Sequence, residues 1–425
     1  MMTPKSRSSP ASTLSTASAQ PLPYGEPDPS RRNNLALITS FVHHHGFLSR
    51  AQLTRMTGLN RSTVGTLIGQ LGAVGLVYET PPSGGAHVGR PSPDVHPSPS
   101  TAALAVNPEI DAVTIGLVSL GGKVQKKIRF ATDRIPTARE AVNIAAAVIE
   151  GMRTELETSY RITGIGMAVP GLVNGADGVV RHAPHLGWRD EPVASMLSQA
   201  TGYACQAAND ASMAAEAELI FGAGDRAGRE NLIYLNGGAS GIGGGVICNG
   251  LLLRGTSGFA GELGHSFVRT DGGTCHCGAT GCLETEVAQS RLFDLAGLSG
   301  GDAAQLEEAL TKNSTAEVAE EVARQLNYLG IALRNAVNIF NPEAIVLDGF
   351  LGVLHSLSPG TLENQLLSQA LDGPASQVRI YRAELGTDLM MLGAAELAFT
   401  QFLANPLSIG ALPVPATHTH APSRR

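Results

Sequence analysis

Gly261-Glu262-Leu263-Gly264-His265, nine further residues, then Cys275-His276-Cys277-Gly278-Ala279-Thr280-Gly281-Cys282-Leu283-Glu284 is the stretch that decides how this chain is read. His265, Cys275, Cys277 and Cys282 supply three thiols and one imidazole. That is the Cys₃His donor set of a tetrahedral structural zinc, one per chain, with no open position for a catalytic water. The chain has five cysteines, and three of them fall within eight residues. Three clustered thiols cannot pair off, so a disulfide framework is a poor alternative. Cys205 and Cys248 lie in apolar surroundings and read as buried core thiols.

Working outward, the 425 residues are 43% hydrophobic, enough for two or three domains and a sizeable core. No apolar run approaches the ~20 residues of a membrane span. Residues 1–30 are rich in Ser, Pro, Ala and Thr, lack the apolar core of a signal peptide, and read as disordered, as does 405–425. A cytoplasmic protein with reduced thiols and no membrane partner is the expectation. The net charge of −7 is unevenly spread. Residues 31–80 carry Arg31, Arg32, Arg50, Arg55 and Arg61 against Glu79, a net +4 that leaves −11 for the remainder. A small basic module on a large acidic body suggests one part that meets phosphates and one that does not.

The basic module, taken as 31–90, has its own pattern. Leu35, Ile38 and Val42 are spaced for one face of a helix. Gly46 is a plausible stop, and Ser49 with Gln52 makes a capping box for a second helix that ends at Gly58. Asn60 caps a third, with Val64, Leu67, Ile68 and Leu71 on its inner face. Leu76 to Thr80 then forms a strand leading into a Pro/Gly-rich loop. This order describes a winged helix-turn-helix. Its third helix turns Arg61, Ser62, Thr63, Thr66 and Gln70 outward, where the motif contacts bases of double-stranded DNA. A three-helix protein-interaction module is the blander alternative. Arg90, between Gly89 and Pro91, suits a narrow minor groove, and equally an ordinary solvated linker. His43, His44 and His45 read as surface positions of the first helix.

Residues 91–100 look like a Ser/Pro linker, and 101–404 alternates strands with helices, an α/β pattern. Strands are expected at 102–106, 112–119, 122–130, 164–169, 232–235, 243–248 and 344–347, with helices at 138–160, 211–220 and 318–340.

The G-E-x-G-H … C-x-C-G-x-x-G-C-x-E stretch resembles the signature of the ROK family, which holds sugar kinases and sugar-responsive repressors on one actin-like, ribonuclease H-like two-lobed fold. Arg50-Ala51-Gln52-Leu53 … Thr57-Gly58-Leu59-Asn60-Arg61-Ser62-Thr63-Val64 and Gly89-Arg90-Pro91 resemble the N-terminal domain of its repressors. The resemblance implies that Asn209, Asp210, Glu262, His265 and Glu284 bind sugar hydroxyls, a task carboxylates suit because each accepts several O–H donors. It implies that Asp210 stands where the kinases hold their general base. Kinases of the family open this domain with Asp-Gly-Gly-Thr; here the stretch is Asn107-Pro108-Glu109-Ile110-Asp111. It has no glycine, Pro108 cannot donate, and Glu109 and Asp111 would repel phosphate. Ser240-Gly241-Ile242-Gly243-Gly244-Gly245 still looks competent. His185 stands where the family usually has Asn. The expectation is therefore no catalytic residue and a homodimeric or homotetrameric regulator that binds a DNA operator and a sugar or sugar phosphate. The alternative is a zinc-containing sugar kinase.

Overall fold

The computed structural model describes residues 29–82, 92–224 and 230–408. At the N-terminus, helices α1 (Pro29–His45), α2 (Arg50–Thr57) and α3 (Arg61–Ala73) pack with strands β1 (Leu48–Ser49), β2 (Val77–Thr80) and β3 (Asp94–Pro97). Ser49 and Gln52 form the capping box of α2, Gly58 closes it at φ 67°, and Asn60 Oδ1 caps α3 through Thr63 N–H. Leu35, Ile38, Val42, Leu53, Val64, Leu67, Ile68 and Leu71 are buried together, as their spacing requires.

The stretch expected to be a linker instead contains β3, which sits between β1 and β2 in an antiparallel sheet. Its Ser/Pro composition hides a short strand. Val95 is fully buried, and His96 is stacked by Phe47 and Tyr78 with ring centroids at 5.3 and 5.1 Å. Long-range pairing outweighs local propensity here. Arg90 lies outside the described residues. So do the expected disordered ends, except that residues 29–30 are helical and Pro406–Ser408 forms a 3₁₀ turn.

Two sheets of five strands make the body. The first contains β4 (Thr101–Pro108), β5 (Ala112–Ser119), β6 (Lys123–Ala131), β7 (Arg161–Val169) and β11 (Cys205–Asn209); the small sheet β8 (Leu172–Val173), β9 (Val180–Ala183) and β10 (Trp188–Glu191) lies between the last two in sequence. The second contains β12 (Leu232–Gly238), β13 (Gly241–Cys248), β14 (Leu251–Leu252), β15 (Ala344–Gly349) and β16 (Arg379–Arg382). In both, the first three strands form an antiparallel meander and the last two run parallel to the first, in the order 3-2-1-4-5. The body is thus a duplicated α/β unit. Its helices are α4 (Ala138–Gly151), α5 (Arg153–Ser159), α6 (Val193–Thr201), α7 (Asp210–Phe221), α8 (Leu283–Glu286), α9 (Gln289–Ala296), α10 (Ala303–Lys312), α11 (Ala316–Phe340), α12 (Phe350–Leu357), α13 (Thr361–Gln369), α14 (Asp372–Gln377) and α15 (Leu389–Ala404). The single helix expected at 138–160 is broken after Gly151 into α4 and α5. No described helix is long and apolar enough to cross a membrane.

Helices α7 and α15 fill the space between the sheets: α15 packs on β4 and β7, α7 on β12 and β13, and the two helices on each other. Approach is close enough to demand glycine. A Cβ on Gly166 of β7 would lie 1.7 Å from the Ala394 carbonyl of α15. One on Gly393 would lie 2.4 Å from the Met213 carbonyl of α7. Any side chain at either site would push the layers apart.

The N-terminal module is joined to this core. His43 was expected at the surface, yet it is fully buried between Phe221 and Phe399. Its Nδ1 accepts the Gly121 N–H at 2.7 Å, so its Nε2 carries the hydrogen that Glu396 Oε1 on α15 accepts at 2.7 Å. A helical spacing rule cannot see a neighbour 353 residues away. Arg161 Nη2 donates to the Val74 carbonyl at 2.8 Å and ties the module at a second place. Glu396→Ala should strand the buried His43 N–H and lower the free energy of unfolding by roughly 1–3 kcal/mol in a denaturant melt. An unchanged melt would show that this contact contributes nothing.

Candidate functional site

The ends of β7, β11, β12 and β13 converge on the cleft between the two lobes. A cavity of about 240 Å³ lies there, bordered by Asn209, Asp210, Glu262, His265 and Glu284, the five residues expected to bind sugar. It is also bordered by Pro170, Gly171, His182, His185, Asn236, Ser240, Gly241 and His276. Residues from both lobes therefore face one space.

Each expected residue has a local reason for its place. Asn209 is the N-cap of α7; its Oδ1 accepts from Ser212 N at 2.9 Å and its Nδ2 donates to the Gly171 carbonyl at 3.0 Å. Its amide is therefore engaged in holding β7 to the helix mouth. Asp210 begins α7, and its Oδ1 accepts from Ala211 N at 2.8 Å. Burial raises its pKa from 3.8 to about 6, against the lowering effect of that hydrogen bond. Burial also raises Glu262, and the charges of Asp210 and Glu284 add to the shift. Three carboxylates held in one cleft form a strong acceptor set for hydroxyl groups.

Glu284 joins the cleft to the cysteine cluster. Its Oε1 accepts from Cys275 Sγ at 2.9 Å and lies 3.0 Å from His276 Nδ1, while its Oε2 accepts from Ile242 N–H at 3.4 Å. Beside it, the donor atoms of His265, Cys275, Cys277 and Cys282 all lie within 4.8 Å of one another. Cys277 Sγ and Cys282 Sγ are 3.8 Å apart, and Cys275 Sγ and His265 Nδ1 3.5 Å. A tetrahedral zinc with Zn–S near 2.3 Å and Zn–N near 2.0–2.1 Å needs S···S of about 3.8 Å and S···N of about 3.5 Å. The donor set fits a metal in identity and in spacing. Buried Glu286 supports the loop, accepting from Gly273 N at 3.0 Å and Arg269 Nη1 at 3.3 Å. His265 presents Nδ1 to the cluster, and its Nε2 is 4.0 Å from Glu262 Oε2. One imidazole thus bridges the cysteine cluster and the cavity.

Cys205 and Cys248 are half-buried at the edges of two apolar clusters, and burial pushes the Cys205 thiol up to about 12. His182, Asn236 and His276 were not singled out from sequence. His276 carried a signal, since it stands between two of the clustered cysteines; Asn236 and His182 carried none.

On α3, Arg61, Ser62 and Thr66 are exposed and Thr63 is half-buried. Arg50 on α2 forms a bidentate pair with Glu79 on β2, its Nε and Nη2 each 2.5 Å from a carboxylate oxygen. Across a neighbouring cavity from Asp210, Asn107 to Asp111 form a closed hairpin turn. Glu109 N–H donates to the Ala112 carbonyl at 2.8 Å, and Arg129 pairs with Asp111 at 2.7 Å.

Residues 110–401 match the ROK family, and the chain belongs to it. The xylose repressor of Bacillus subtilis is 28% identical over 88% of this chain and 96% of its own length. The DNA-binding transcriptional dual regulator NagC of Escherichia coli is 26% identical over 85% of this chain and 91% of its own. A glucokinase of Halalkalibacterium halodurans is 31% identical, over 63% of this chain and 87% of its own. A crystal structure of a ROK family transcriptional regulator, a homolog of the E. coli MLC protein, shares the fold with a TM-score of 0.71. It is 24% identical over 89% of this chain and 98% of that one. The ROK hexokinase of Thermus thermophilus superposes with a TM-score of 0.57 at 29% identity, over 71% of this chain and 98% of that one.

Asp210→Asn separates binding from stability. The folded-state pKa of about 6 lies above 3.8, so stability falls as pH rises between these values and the full cost stands above pH 6. The variant should stabilise the ligand-free protein by roughly 1–3 kcal/mol at pH 7. The gain should fade toward pH 4 in paired thermal melts. A variant less stable than wild type at pH 7 would contradict this assignment.

Proposed function

We propose that this protein is a transcriptional repressor of carbohydrate-metabolism genes. Its N-terminal module is a winged helix-turn-helix that binds operator DNA, and its ROK body is a sugar sensor. The observation that carries this reading is the extent of similarity. Regulator relatives match 85–88% of the chain, whereas the glucokinase matches 63%, close to the body alone. That difference is large enough to include the basic module, which exposes Arg61, Ser62 and Thr66.

The body retains a sugar site in which the first of the two phosphate turns of a kinase is replaced by Asn107-Pro108-Glu109-Ile110-Asp111. Asp210 could take a proton from a hydroxyl, but the turn facing it is closed by its own hydrogen bonds and carries Glu109 and Asp111. Phosphoryl transfer is mostly positioning and charge stabilisation of phosphates, which acidic side chains oppose. Asp210 and Glu262 instead accept sugar hydroxyls, and Glu284 orients them from the metal-loop side.

His265, Cys275, Cys277 and Cys282 hold zinc. A closed four-ligand zinc supplies structure, not a reactive water. It fixes His265 and, through the loop, Glu284 in the sugar cleft. The protein acts as a homodimer or homotetramer, so that two α3 helices read half-sites about 10 base pairs, or a multiple, apart. Sugar prefers one arrangement of the lobes and DNA another, so bound sugar weakens operator binding.

Two measurements check the two halves. Arg61→Ala and Thr63→Ala should weaken operator binding and relax its sequence preference with little change in melting temperature, and wild-type binding should fall steeply with salt. Unchanged affinity in both would mean that α3 is not the reading helix. Metal analysis should find one zinc per chain, lost in Cys277→Ser together with much of the stability. Folded, metal-free wild-type protein would remove zinc from the account.

A further inference from the structure

The sugar cavity has a neighbour. A second cavity of about 360 Å³ is bordered by Asn107 to Asp111, Ala239 and Met390, and shares Pro170, His185, Asp210, Asn236 and Ser240 with the first. A hydroxyl held by Asp210 therefore points at a second space, where a phosphate ester or a second sugar unit would sit. Among the described residues, no Lys or Arg borders either cavity. The second is faced by the carboxylates of Glu109, Asp111 and Asp210; Arg129 pairs with Asp111 at 2.7 Å and approaches Glu109 at 3.7 Å without bordering the space. Phosphate recognition in proteins relies on Arg, Lys or clustered backbone N–H groups, and of the glycine stretch 240–245 only Ser240 borders the second space. A dianion placed here would meet three carboxylates with no cation facing it.

His185 stands at the shared wall, in the turn between β9 and β10. Its Nε2 is buried and has no hydrogen-bond partner. The ring meets His276 edge-on at 5.3 Å, which fixes its plane. Burial and the neighbouring His276 lower its pKa, against the raising effect of Glu284, so the imidazole offers hydrogen bonds and not positive charge. An unpartnered buried ring nitrogen has an unmet hydrogen bond that a ligand hydroxyl can supply.

We infer that the ligand is an uncharged saccharide and not a sugar phosphate, and that His185 sets which saccharide is accepted by hydrogen-bonding a ligand hydroxyl where the two cavities meet. This rests on the sugar-sensing reading above. Selection of this kind is strong because a ligand lacking the hydroxyl leaves the buried nitrogen unpaired.

Calorimetric titration of the full-length protein tests both parts. The probes are xylose, glucose, N-acetylglucosamine, maltose and cellobiose, with glucose 6-phosphate and N-acetylglucosamine 6-phosphate. An uncharged sugar should bind, and the 6-phosphates should bind at least tenfold more weakly than the best of them. His185→Asn and His185→Gln should each change the ratio of Kd values between two uncharged sugars at least tenfold, with melting temperature reporting that they fold. Tighter binding of a 6-phosphate would overturn the ligand class and leave the sensor reading standing. Unchanged ratios in both folded variants would overturn the role of His185. Binding of none of the probes would overturn this inference together with the sugar-sensing reading.

Discussion

Backbone-to-backbone packing of α7 and α15 between the two sheets is the constraint on which the molecule depends. Gly166 lets α15 touch β7, and Gly393 lets α15 touch α7. These layers cannot slide by a fraction of an ångström without collision, so a movement at one face is felt at the other. Asp210 is the first residue of α7 and faces the cleft, whereas Glu396 lies on α15 and holds His43 of α1. The cleft, the central helices and the N-terminal module therefore form one packed series. The buried His43–Glu396 hydrogen bond is its last link, and the hydrogen bond from Arg161 to the Val74 carbonyl ties the same two parts at a second place.

The site itself is held from the other lobe. The cysteine loop carries no long helix or strand; its backbone is tied by short bridges such as Thr274 with Thr280, and by Cys282 beside Phe267. A loop of that kind has little apolar area to bury and needs a cross-link to keep a fixed shape. The four donors lie within 4.8 Å of one another, and His265 and Glu284 leave the loop to border the cavity. Holding the loop and shaping the pocket are consequently one task.

Much of this was legible in the residues. The helices of the N-terminal module follow from apolar spacing and caps, because Ser49, Gln52, Gly58 and Asn60 act through local hydrogen bonds. The cysteine cluster and the cleft carboxylates were legible as a motif, and the structure brings Asp210, Glu262, His265 and Glu284 to one cavity. What escaped depends on distant partners. The strand Asp94–Pro97 exists because β1 and β2 accept it, not because Ser and Pro favour strands. His43 is buried because Glu396 and Gly121 meet it, and its helical neighbours say nothing of either. His182 and Asn236 border the cavity only because the two lobes face each other.

If sugar and operator are coupled through one packed series, each must alter the affinity for the other by the same factor. The most direct measurement is the Kd of the cognate sugar on free protein and on protein saturated with operator DNA, set beside the operator Kd with and without sugar. Both ratios should agree and fall at about 5–150-fold, the range of about 1–3 kcal/mol. Equal sugar affinity for the free and the operator-bound protein would contradict the account.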